Sequence, residues 1–88
     1  MKAVFLSSFL KDVKKLRDAG VRRSVQEAIQ DVEQADAIDA IRSIKRLSGH
    51  RNYYRIRIGQ WRIGLKFEDN SVQFVRCLHR REVYRFFP

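Results

Sequence analysis

Arg55 and Arg57, two positions apart, and Arg62, just beyond a Gly59–Gln60 pair, are the residues whose types and spacing best suit this chain to chemistry. Successive strand side chains point to opposite faces, so Arg55 and Arg57 project one way while Tyr54, Ile56 and Ile58 project the other. Glycine first in a two-residue loop suits a type II′ hairpin, whose register sets Arg57 opposite Arg62, Arg55 opposite Gly64, and Ile56 opposite Ile63. Like charges facing each other are unfavourable by some tenths of a kcal/mol, on the roughly 0.2 to 1 kcal/mol scale of cross-strand pairs, unless an anion sits between them. Three guanidinium groups on one face would hold a phosphate and stabilise charge developing on it. A solvated strand face with snorkelling arginines produces the same pattern.

The elements that must position these arginines follow from periodicity. Met1 to Ser7 reads as a short strand, and Ser7 or Ser8 can cap a helix lined by Phe9, Leu10, Val13 and Leu16 and stopped by Gly20. Val21, Val25, Ala28, Ile29, Val32 and Ala35 recur at helical spacing in a second helix, with Ser24 and Glu27 resembling a capping box. Between Asp36 and Leu47, Ile38, Ile41, Ile44 and Leu47 recur every three residues, which suits a helical turn or an irregular apolar connector; no firm structure is assigned there. Ser48 to Asn52 reads as the loop into the hairpin, Asp69 to Ser71 as the next turn, and Val72 to His79 as the last strand. A three-residue turn puts Leu65 opposite Val75 and Ile63 opposite Cys77, with Arg76 and Arg80 joining the arginine face. A two-residue turn would press Arg76 among the isoleucines without a visible partner, so the longer turn is expected. Arg81 to Phe87 can form about one helical turn. The predicted fold is α+β: a small antiparallel sheet in the order strand, helix, helix, three strands, then a short C-terminal helical turn. Two N-terminal helices pack on one face and the arginines occupy the other.

Eighty-eight residues without a composition break or a Ser-, Pro- or Gly-rich linker predict one domain spanning 1–88. The net charge of +9, with thirteen arginines against six lysines, favours a polyanion over a neutral metabolite, and nucleic acid leads. No stretch approaches the roughly 20 apolar residues of a membrane span, and the run Ala3 to Leu6 is too short for a signal peptide, so a cytoplasmic protein without a membrane partner is expected. Acidic residues concentrate in Glu27, Asp31, Glu33, Asp36 and Asp39, whereas residues 49–88 hold only Glu68, Asp69 and Glu82. Cys77 stands alone in an apolar strand and reads as packing. Two histidines and one cysteine lack metal-ligand spacing, and neither a metal nor a cofactor is expected.

The run Arg46-Leu47-Ser48-Gly49-His50-Arg51-Asn52-Tyr53-Tyr54-Arg55-Ile56-Arg57-Ile58-Gly59, then Trp61-Arg62-Ile63, and finally Val75-Arg76-Cys77-Leu78-His79-Arg80-Arg81-Glu82-Val83-Tyr84, resembles the RelE/ParE superfamily of toxins from toxin–antitoxin pairs. The match covers nearly the whole chain. The resemblance implies a RelE-like fold and a ribosome-dependent mRNA interferase, an endoribonuclease that cleaves the message in the ribosomal A site by attack of a ribose 2′-OH on the adjacent phosphate and so inhibits translation. It also implies a cognate acidic antitoxin as partner.

Carried residue by residue, the resemblance implies that Arg55, Arg57 and Arg62 grip and activate the phosphodiester. Arg80 would assist the leaving oxygen and Tyr84 would orient the RNA. Beyond the carried-over positions, Arg51, Arg76 and Arg81 are expected to add RNA contacts. Well-known members carry lysine where this chain has Arg55 and Arg57, and a guanidinium cannot serve as general base. His79 is then the possible base, although regular alternation sends it to the face away from Arg80 unless the strand ends or bulges there. Tyr84 could instead pack against Phe86 or Phe87, and Trp61 reads as turn and core packing. Two other functions fit the same residues: a ParE-like inhibitor of DNA gyrase, and a non-catalytic RNA-binding module.

Overall fold

In the computed structural model, which describes residues 1–88, the chain runs through β1 (Lys2–Phe5), α1 (Ser7–Lys14), α2 (Ala19–Gln34), a 3-10 turn (Ile38–Ala40), β2 (Ile44–Arg46), β3 (Tyr53–Ile58), β4 (Trp61–Glu68), β5 (Ser71–His79) and α3 (Val83–Phe86). The strands form a single sheet in the order β1-β5-β4-β3-β2. The expected antiparallel sheet with two N-terminal helices is present. Two features go beyond it: β1 pairs with β5 in parallel, and β2 adds a fifth strand through Ile44↔Ile56, Lys45↔Arg55 and Arg46↔Tyr54. β2 escaped the sequence reading because it has only three residues, and its pairing with β3 holds it rather than any alternation of its own.

One face of the sheet carries the main core. Phe9, Leu16, Val25, Ala28, Val32 and Ile41 pack against Ile56, Ile63, Leu65, Val72, Phe74 and Cys77. Tyr54, Ile58 and Trp61 lie partly buried against the same cluster, as their alternation required. The helix boundaries differ from expectation. Asp18 caps α2, its Oδ1 accepting from the N–H groups of Gly20 (2.8 Å) and Val21 (3.1 Å), so Gly20 sits inside the second helix instead of ending the first. Neither serine caps α1; the Ser8 hydroxyl donates to the Val75 carbonyl at 2.6 Å, and Leu10 remains 51% exposed.

The turn between β4 and β5 has two residues, not three. Glu68 pairs with Ser71, and Asp69 (φ 53) and Asn70 (φ 60) both adopt the left-handed conformation of a type I′ turn, which Asp and Asn tolerate best after glycine. The Ser71 hydroxyl secures it by donating to the Glu68 carbonyl at 2.8 Å. Arg76 nevertheless escapes the isoleucines. Leu65 pairs with Phe74 but Gly64 with Arg76, so Val75 is an extra residue that shifts the register and restores Ile63↔Cys77.

Arg76 also has a partner that the sequence did not reveal. β1 ends at Phe5, opposite Phe74, leaving the rest of β5 without a strand on that edge, and α1 covers it instead. Asp12, only 9% exposed, accepts from Arg76 Nε (2.7 Å), Arg76 Nη2 (3.2 Å) and the Cys77 backbone N–H (2.9 Å). Burial, with the nearby Asp12 charge, pushes the Cys77 thiol up to about 12, which fits its expected packing role.

A second, smaller apolar cluster lies on the opposite face, where Leu47, Leu78, Val83 and Phe87 pack with Tyr53 and Val75. Gly64 makes room for it. A Cβ on Gly64 would stand 2.8 Å from three atoms of the Phe87 ring, so only glycine lets the C-terminal turn lie this close to β4.

Gly64→Ala should therefore destabilise the fold by roughly 1 to 3 kcal/mol, the usual range for overpacking; urea denaturation measures it, and an unchanged midpoint would show that Phe87 does not need this space. Asp12→Ala strands a cation and a buried N–H, and should cost about 3 kcal/mol, the lower end of the range for breaking a buried ion pair, since the Arg76 side chain is 27% exposed. A loss below about 0.5 kcal/mol, the range of an ordinary surface change, would remove Asp12 from its structural role.

Candidate nucleic-acid interface

The β3–β4 hairpin adopts the expected register, with Arg57↔Arg62, Arg55↔Gly64 and Ile56↔Ile63. Gly59 alone of the two turn residues has positive φ (62), as a type II′ turn requires. This turn also organises the site. Arg62 Nη1 donates to the carbonyls of Gly59 (2.8 Å) and Trp61 (2.9 Å), which holds the guanidinium in place. The Arg80 backbone N–H donates to the Gln60 carbonyl at 2.8 Å, tying the end of β5 to the same turn.

α3 brings Tyr84 to the open face. Glu82 N–H donates to His79 O at 2.8 Å and starts the turn, while buried Val83 and Phe87 anchor it. Phe87 pairs edge-on with Tyr53 at 5.6 Å rather than with Tyr84, which is 66% exposed. The alternative of Tyr84 as a packing residue is therefore not realised.

Charge on this face is concentrated and unneutralised. The Arg62 guanidinium is held below the ordinary arginine range by its burial first, then by the positive charges of Arg55 and Arg57 and, more weakly, of Arg80; Tyr84 acts in the opposite sense. Those four neighbours place Arg55, Arg57, Arg62, Arg80 and Tyr84 in one electrostatic unit. The ion pairs of the chain join Arg42 to Asp31, Lys66 to Glu68 and Arg76 to Asp12, so none of the four clustered arginines has a carboxylate partner. Beside them opens a cleft of about 570 Å³ lined by Arg55, Tyr84, Lys45, Arg46, Ser48 and His50 above apolar Leu47, Phe87 and Pro88.

The remaining expected site residues are distributed differently. Arg76 is committed to Asp12 and is not a free cation. His79 packs edge-on against Trp61 at 5.6 Å and lines a separate cleft of about 310 Å³ with Asp12, Arg76 and Glu82. Its Nδ1 accepts the Arg81 N–H at 3.2 Å. Although β5 ends at His79, its bulge is four residues earlier at Val75, so the imidazole stays on the Trp61 side, away from the arginines. Arg81 is exposed in the turn beyond β5, and Arg51 lines a shallower cleft of about 470 Å³ with Arg46 and His50. Lys45, Arg46 and His50 were missed. Lys45 stands directly across from Arg55, a neighbour relation that exists only through the short strand β2.

A sheet backed by helices on one face, with paired arginines and Tyr84 on the other, defines a small α+β protein with an open cationic face. A family model described as the ParE toxin of type II toxin–antitoxin system, parDE, matches residues 3–84. Toxin RelE3 of Methanocaldococcus jannaschii is 34% identical over 89 residues, covering 100% of both chains. The RelB–RelE antitoxin–toxin complex from Methanococcus jannaschii superposes with a TM-score of 0.79 at 31% identity, over 97% of this chain and 99% of that one. The intact E. coli RelBE toxin–antitoxin complex, at 21% identity, shares the fold with a TM-score of 0.70 over 89% of this chain and 94% of that one. The chain belongs to the RelE/ParE superfamily, as a RelE-type toxin of a toxin–antitoxin system.

If four arginines each neutralise one phosphate, single-stranded RNA affinity should fall with salt at a log–log slope of about −3, from roughly 0.7 per contact. Arg55→Gln and Arg57→Gln should each reduce that slope by about 0.7, measured by fluorescence anisotropy with an uncleavable 2′-deoxy strand. A salt-independent affinity would show that the arginine face does not bind phosphate.

Proposed function

We propose that this toxin is a ribosome-dependent endoribonuclease that cuts mRNA in the A site. One observation carries the reading: Arg55, Arg57, Arg62, Arg80 and exposed Tyr84 converge on one face without a carboxylate among them. In phosphodiester cleavage by a 2′-OH, negative charge grows on the phosphate oxygens and on the leaving 5′-oxygen. Donors already held in place stabilise that charge without reorganising. Arg62, pinned to the turn carbonyls, is the most fixed of them and faces the phosphate oxygens. Arg55 and Arg57 bind charge along the backbone, Arg80 meets the leaving oxygen, and the Tyr84 ring orients a base or ribose. Arg51 and Arg81 extend the cationic track.

The partner follows from the same charge. The relatives from Methanococcus jannaschii and E. coli were solved as toxin–antitoxin complexes. An acidic antitoxin segment that folds on this surface would neutralise the arginines and silence the toxin. Inactive Arg62→Ala protein used as bait in native cells should retain an acidic chain that high salt releases; recovery of none would count against this partner.

The activity is tested by in-vitro translation of a defined message, with 5′ ends mapped by primer extension. Cuts within A-site codons, with 2′,3′-cyclic phosphate termini and absent from ribosome-free RNA, are expected. Arg62→Ala should lower the rate by roughly 10² to 10³, as for loss of one preorganised donor, and a change under about tenfold would remove it from the catalytic set. Growth arrest without cleavage would turn the reading toward gyrase, which the match to a ParE family model keeps in play, and supercoiling would then be assayed.

A further inference from the structure

Cleavage by a ribose 2′-OH needs a group to take its proton, and none of the arginines can. Lys45 stands opposite Arg55 but is exposed on the edge strand β2. His79 lies on the far side of the sheet against Trp61. The only other imidazole in the chain is that of His50.

We infer that His50 is the proton acceptor of the active site, an inference that rests on the endoribonuclease reading above. The loop between β2 and β3 sets its position. The His50 N–H donates to the Leu47 carbonyl at 3.3 Å, and Gly49 (φ 76) and Asn52 (φ 66) take left-handed conformations that fold the loop back toward β3. The ring sits edge-on to Tyr53 at 6.4 Å, and Tyr53 in turn holds Phe87, the anchor of the turn that carries Tyr84. His50 thereby lines the same cleft as Arg55 and Tyr84. It is exposed, as a group exchanging protons with water between turnovers must be.

The charged and titratable groups lining that cleft with it are Lys45 and Arg46 from β2, Arg55 from β3 and Tyr84 from α3; Arg51 lies one residue further along its own loop. No Asp or Glu side chain lines the cleft. In the step assigned to His50, the neutral imidazole accepts the 2′-OH proton while the 2′-oxygen–phosphorus bond forms. The bond from phosphorus to the 5′-oxygen breaks, and that oxygen takes a proton from water. The products are a 2′,3′-cyclic phosphate and a 5′-hydroxyl, and the imidazolium then releases its proton to solvent.

The test is the single-turnover cleavage rate on ribosome-bound message over about pH 5 to 8, the range in which imidazole changes charge. The wild-type rate should rise with pH and level off. His50→Gln should lose roughly 10² to 10⁴ in rate, the usual contribution of general base catalysis, together with the rising limb of the profile. Added imidazole should restore part of the activity of His50→Ala. Both variants should keep the wild-type melting temperature, since the side chain is exposed. A His50→Gln enzyme with the wild-type rate and pH profile would overturn the assignment, and so would weaker RNA binding with an unchanged rate at saturation. Absence of cyclic phosphate ends from the wild type would instead overturn the endoribonuclease reading itself, so the two failures are distinguishable.

Discussion

The arginine face depends on one extra residue in β5. Without the bulge at Val75, the two-residue turn at Asp69–Asn70 would set Arg76 opposite Ile63, inside the main core, where an unpaired guanidinium is far too costly to bury. With it, Cys77 takes that place, and Leu78 comes opposite Arg62 to seat the C-terminal turn. The bulge is held from the side by α1, whose Ser8 hydroxyl binds the Val75 carbonyl and whose Asp12 carboxylate binds both Arg76 and the Cys77 N–H. An uncovered strand edge would otherwise expose these groups to pairing with another chain. The same contacts therefore satisfy the backbone, hold the charge and set the parity of everything downstream.

That parity separates stability from chemistry. Apolar burial on the helix face includes the largest fully buried side chains, Phe9 and Phe74, and supplies the main driving force for folding. On the other face, the four-residue cluster around Leu78 and Phe87 fastens only the C-terminal turn, leaving room for cations. Lys45 opposite Arg55, and Arg57 opposite Arg62, are like-charge neighbours that lower stability by tenths of a kcal/mol each. A sheet backed by the helix-face core can carry that repulsion, and an anion binding the face relieves it. On the proposed reading, that repulsion readies the folded face for a phosphate backbone before any ligand arrives.

The β3–β4 turn links these two economies. Its carbonyls at Gly59 and Gln60 hold Arg62 and the backbone of Arg80, so two cations from different strands share one rigid reference point. Tyr84 reaches the same face by a separate route, through Gly64, Phe87 and the short α3 turn. The cleft between the two routes is where Arg55, His50 and Tyr84 meet.

The sequence by itself determined the hairpin, because period-two alternation and a glycine-first turn leave one register, and with it the facing pair Arg57 and Arg62. It also determined the helix-face core, since Val25, Ala28 and Val32 recur at helical spacing, and the excess of uncompensated arginine. The tertiary structure alone decided what depends on contacts between distant segments. Asp12 reaches Arg76 across 64 positions, an ion pair no local pattern encodes. A two-residue turn and a three-residue turn differ by one parity, and the bulge that reconciles them is visible only once α1 lies against β5. β2 is too short to announce itself, yet it alone brings Lys45 beside Arg55. The chain pointed to His79 alone; strand parity sends it to the core face, and a loop closed by left-handed residues delivers the overlooked His50 to the cleft.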